Sequence, residues 1–107
     1  MNRFDGIEVI SAYPLDRAIE GGVLVEIFKN RWLELSGGKP IVATANLFNE
    51  ISLAGLMEIW NEFVHWRKFD LPALPEEDQL FRTGMNDKAV WVIEDATAFT
   101  FMYPEDY

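Results

Sequence analysis

From Leu53 to Val64 the apolar residues recur at a helical interval: Leu53, Leu56, Met57, Trp60, Phe63 and Val64. Spacings of three and four place them on one stripe of a helix, and the stripe reads as a core face. Glu58, Asn61, Glu62, His65 and Arg67 occupy the polar side. Ser52 stands where an N-cap belongs, or at a bend between two helices. Downstream the period shortens towards two. Gln79–Thr83, Ala89–Ile93 and Ala98–Tyr103 read as three antiparallel strands, with turns at Gly84-Met85-Asn86-Asp87 and Glu94-Asp95-Ala96. In the last strand Phe99, Phe101 and Tyr103 alternate with Thr100 and Met102, so one face is aromatic.

Upstream, Ile7–Tyr13 reads as a strand. Pro14 opens a short helix, Leu15 to Glu20, closed by Gly21-Gly22, and Val23–Ile27 is a second strand. Phe28–Leu35 is a short helix or irregular turn ended by Gly37-Gly38. Ile41–Ala43 is extended, and Thr44 caps a helix carrying Leu47, Phe48 and Ile51. Asp70–Asp78, with two prolines, is a loop. Strands and helices segregated along the chain predict an α+β fold: an N-terminal β-α-β, central helices, and a C-terminal antiparallel β-meander packed on the helices. Residues 1–107 fit a single domain.

Composition narrows the chemistry. There is no cysteine, which excludes disulfides, thiolate metal sites and a cysteine nucleophile, and favours a reducing, cytoplasmic setting. No secretory leader follows Met1, and no apolar run is long enough to span a membrane. Net charge is −9, and eight of the 18 acids but two of the nine bases lie in residues 76–107. Such a chain is ill suited to direct nucleic-acid binding, which needs lysine and arginine for phosphate contacts. It suits a protein partner with a basic surface, unless the acids serve solubility alone.

Candidate chemistry is sparse. His65 is the one histidine, so no multi-histidine metal site exists, and a hydrolase built on it would need a positioned carboxylate. The carboxylate groups Glu76-Glu77-Asp78, Glu94-Asp95 and Glu105-Asp106 lack calcium-loop spacing. They are the candidate partner-binding residues. Ser36-Gly37-Gly38-Lys39 lacks the full phosphate-loop spacing, and Pro40 stands where the hydroxyl residue belongs, so it reads as a turn. No catalytic set, metal site or cofactor follows from these patterns.

Two stretches carry a resemblance. They are Val9-Ile10-Ser11-Ala12-Tyr13 with Ala18-Ile19-Glu20-Gly21-Gly22-Val23-Leu24-Val25-Glu26, and Phe99-Thr100-Phe101-Met102-Tyr103-Pro104-Glu105-Asp106-Tyr107. They resemble a family of small uncharacterised proteins carried on bacterial plasmids and phages. That family opens on an I-S-x-Y … G-x-L-V-D/E pattern and closes near T-I-M-L-P-x-D-Y. A strand and a threonine-led helix in that family resemble Pro40 to Phe48, while Ile51–Asp78 is not aligned. Glu26 replaces the more usual aspartate, and Phe101 and Tyr103 replace aliphatic residues. The resemblance implies a mobile-element setting and transfers no activity or site residue.

The resulting expectation is a small acidic, non-catalytic protein of a mobile element that binds a host protein. In its sharper form it inhibits a nucleic-acid-handling defence system. The alternatives are a self-associating structural module, which would cover a sheet face or edge by forming a homo-oligomer, and, last, a small hydrolase using His65.

Overall fold

The computed structural model describes residues 15–107. The expected strand at Ile7–Tyr13 and the helix-opening role of Pro14 lie outside the described residues. Helix α1, Leu15–Glu20, ends at the glycine pair as anticipated. Gly22 takes φ 76°. Val23 N–H donates to Ala18 O (3.0 Å) and Gly22 N–H to Ile19 O (3.1 Å). This paired closure satisfies the last carbonyls, and its left-handed residue favours glycine.

Strand β1, Leu24–Glu26, is followed by a 3-10 turn at Lys29–Arg31 and helix α2, Trp32–Ser36. Then come β2, Ile41–Thr44, the single turn α3, Ala45–Phe48, and α4, Leu53–His65. Thr44 Oγ1 accepts from Leu47 N–H (3.4 Å) and Ser52 Oγ from Gly55 N–H (3.1 Å), so both expected caps form. Helix α4 runs into a π-turn, Trp66–Asp70, and two 3-10 turns, Leu71–Ala73 and Glu76–Asp78. The segment expected as a plain loop is therefore largely turned. The meander follows: β3 Phe81–Met85, β4 Lys88–Glu94 and β5 Phe99–Met102, then a 3-10 turn at Pro104–Asp106.

Among the described residues these strands form one mixed sheet in the order β1-β2-β5-β4-β3. The C-terminal meander is antiparallel as expected. Its last strand also pairs in parallel with β2, Ile41 opposite Phe99. That pairing places β5 at the centre, which explains why all four of its residues are buried. The expectation of one aromatic face holds for Phe99, Phe101 and Tyr103, but Thr100 and Met102 are covered too.

Helix α4 covers one face of the sheet. Trp60 meets Phe99 edge-on at 5.2 Å between ring centroids, and Phe63 meets Phe81 at 5.5 Å and Phe99 at 5.7 Å. The helical stripe needs one correction. Leu53 is 59% and Val64 40% exposed, whereas Ile59 is fully buried. The sheet-facing arc runs through Leu56, Ile59, Trp60 and Phe63, and Leu53 and Val64 flank it. On the other face α1 helps cover Leu24, Val42 and Ala98 through Ala18, Leu15 and Ile19.

The first hairpin also departs from expectation. Gly84 and Met85 are strand, and Asn86 and Asp87 alone make the turn, with φ 55° and 66°. Two positive φ values define the tight turn whose twist matches paired strands. The strand starts at Phe81 rather than Gln79 because Gln79 ends the preceding 3-10 turn, its Nε2 donating to Leu74 O (2.9 Å).

Candidate functional site

The three expected carboxylate groups lie in different environments. Glu76, Glu77 and Asp78 form the exposed 3-10 turn ahead of β3, and none makes a side-chain hydrogen bond or ion pair among the described residues. Glu105 is likewise exposed without such a partner. The other members are engaged internally. Asp95 Oδ1 accepts from Thr97 N–H (2.8 Å), Thr97 Oγ1 (2.8 Å) and Ala98 N–H (3.0 Å), which shapes the turn between β4 and β5. Asp106 Oδ2 accepts from Thr44 Oγ1 (2.8 Å) and Tyr103 N–H (3.3 Å), and its Oδ1 from Asn46 Nδ2 (3.0 Å). It therefore ties the end of β5 to the start of α3.

Glu94 takes a two-pronged bond from Arg67: Nε to Oε1 at 2.7 Å and a terminal nitrogen to Oε2 at 2.9 Å. Lys39 adds a second cation at 3.5 Å and also lies 4.9 Å from the centre of the Phe99 ring. The Arg67 hydrogen bond holds the Glu94 carboxyl below the ordinary carboxylate range, against a smaller opposing effect of burial. The same bond raises Arg67. Matched forks of this kind fix geometry as well as charge.

His65 ends α4 with its ring 4.7 Å from that of Phe69, and it is exposed. No hydrogen bond joins it to a carboxylate among the described residues, so no base-and-orienter pair is assembled around it. Ser36 Oγ lies 2.6 Å from Lys39 O and 2.9 Å from Trp32 O, closing the glycine turn after α2. Among the described residues no group of three or more metal-ligating side chains is gathered, and no helix is long and apolar enough to cross a membrane.

A cleft of about 440 Å³, not anticipated from the sequence, lies at the end of the sheet where β3 begins. Trp66 and Leu71, from the π-turn and the 3-10 turn that follow α4, line one part. Leu80, Trp91 and Tyr107 contribute further apolar surface, and Glu76, Glu77 and Arg82 add charge. The Trp91 and Tyr107 rings meet edge-on at 5.5 Å. The sequence signal that could have revealed it is the mismatch between a long β4 and a preceding segment broken by Pro72 and Pro75.

No protein-family model, no curated protein and no solved structure matches the chain. The fold is α+β, with a five-stranded mixed sheet among the described residues.

Proposed function

We propose that this chain is a small acidic binding protein of a mobile genetic element. Its target is a host protein with a basic surface, and in the sharper form it masks the nucleic-acid-handling surface of a defence system. The observation that carries the reading is the exposed Glu76-Glu77-Asp78 turn, whose carboxylates have no partner among the described residues, next to an aromatic-lined cleft. Internal pairing neutralises Glu94, and Asp95 and Asp106 serve turns and ties. The carboxylates of this turn are therefore available to a partner's cations. Complementary charge of this sort mainly accelerates and orients the encounter, and salt weakens it.

The test is affinity capture of the tagged chain from a bacterial host lysate at low salt, followed by a salt gradient. The expected result is one basic, nucleic-acid-handling protein that elutes as salt rises and is lost when Glu76, Glu77 and Asp78 become Gln, Gln and Asn. A partner retained equally by the triple variant, and insensitive to salt, would overturn the electrostatic reading. Concentration-dependent dimers in sedimentation, with nothing captured, would favour the self-associating alternative.

A further inference from the structure

Strand β4 runs to Glu94, but β3 begins only at Phe81, opposite Val92. Successive residues of an antiparallel strand turn their N–H and C=O groups to opposite neighbours. Asp95 N–H donates to Ala98 O (3.0 Å), towards the β5 side. By alternation Ile93 faces β5 as well, and Val92 and Glu94 face the β3 side. Pairing of Met85 with Lys88 at the hairpin turn fits the same alternation. Val92 has Phe81 opposite, whereas among the described residues no strand residue stands opposite Glu94. The chain that could have filled that place is bent away by the Glu76–Asp78 turn, with Gln79 bonded back to Leu74. The main-chain edge at Glu94 thus borders the cleft.

We propose that this edge receives an extended basic segment of the partner, added to the sheet where β3 stops short. This rests on the reading of the chain as a binder of basic proteins. An added strand gains main-chain hydrogen bonds from an open edge and side-chain specificity from the pockets beside it. Here Trp66, Leu71 and Trp91 offer apolar surface to alternate side chains. The charges select the occupant. Glu94 is paired with Arg67 and Lys39, and beside that cluster stand Arg82 against Glu76 and Glu77, with Asp78 next along the turn, three cations against four carboxylates in all. That balance is negative and favours lysine or arginine. A second copy of the chain would bring another net charge of −9 to the same place and is repelled.

The test is titration of the ¹⁵N-labelled full chain with a synthetic peptide of alternating lysine and valine, with a glutamate–valine counterpart as control. The expected result is saturable binding of the basic peptide alone. Shifts should concentrate at the amides of Ile93, Glu94 and Asp95 and at the indoles of Trp66 and Trp91. The Glu76→Gln/Glu77→Gln variant should bind about fivefold more weakly, in line with two exposed charge pairs. Binding of the basic peptide at Asp16 or Glu105 instead would overturn the cleft and leave the basic-partner reading standing. Equal binding of both peptides in the cleft would overturn the charge selection. No binding of either peptide, with a basic protein still captured from lysate, would overturn the edge proposal alone. The loss of both results would overturn the two readings together.

Discussion

Gly55 lies in the first turn of α4, where its N–H meets the Ser52 cap. A methyl group added there would stand 2.9 Å from Ile51 Cγ2, a stiff β-branched neighbour in the core. Alanine is ordinarily better than glycine in a helix by about 1 kcal/mol. The contact should reverse that sign, because overpacking a filled site costs about 1–3 kcal/mol. Gly55→Ala is therefore expected to lower the stability measured by urea unfolding. A stability gain would show that Ile51 yields without cost. Phe28 illustrates the opposite balance. It holds φ 57° and ψ 30°, a left-handed conformation that costs a bulky residue roughly 1–2 kcal/mol. Its side chain packs against the main core cluster, and that contact offsets the strain.

Among the elements, the loop between α3 and α4 is tied to the meander by three side chains. Tyr103 Oη donates to Glu50 Oε1 at 2.6 Å, and Lys88 Nζ reaches the same oxygen at 3.0 Å. Burial first, and then the hydrogen bond to Glu50, push the Tyr103 hydroxyl up to about 12. A raised folded value means that the neutral phenol is favoured by folding. The corresponding stability is fully present below the unfolded value and is lost as pH climbs from about 10 to about 12. Ultraviolet titration should show a late tyrosine step near pH 12 belonging to Tyr103, with unfolding following its ionisation. In Tyr103→Phe that late step should vanish, and stability near neutral pH should fall by about 1 kcal/mol. An unchanged late step would assign it to another tyrosine.

The elements also show what the sequence could reveal. Both caps, the glycine closure of α1 and the C-terminal meander were legible because each depends on a few neighbouring residues. The docking of β5 onto β2 was not, since no local pattern encodes which strand edges meet. The exposure of Leu53 and Val64 was hidden for a related reason. A helical stripe gives a direction but not the width of the surface that it meets. Of the candidate site, the exposure of Glu76, Glu77 and Asp78 could be read from their composition, but the 3-10 turn that they form could not, since the segment reads as a plain loop. The internal duties of Glu94, Asp95 and Asp106 could not. Their partners Arg67 and Thr44 lie far away along the chain, and even the neighbouring Thr97 engages Asp95 only through the turn geometry.

At the level of the whole molecule the charge of −9 works against compactness. The ion pairs observed, such as Lys88–Glu50 and Arg31–Glu34, are largely exposed, and each contributes little. Screening should thus relieve more repulsion than it removes attraction. Raising sodium chloride from about 0.02 M to about 0.5 M, across which the screening length falls several-fold, should raise the thermal midpoint. A lower midpoint would mean that the Arg67–Glu94–Lys39 cluster and its like outweigh the self-repulsion.

The central place of β5 has a further consequence for how the molecule comes together. During synthesis β1 and β2 emerge early, and the β3–β4 hairpin later. These two half-sheets have no edge in common. Their shared neighbour, Phe99–Met102, is the last of the described strands to be synthesised. Until then β2 and β4 each expose the flank meant for β5, and the aromatic surface of α4 has only part of its floor. Assembly is thus governed by a late, long-range insertion rather than by growth from the N-terminus, the kind of topology that slows folding.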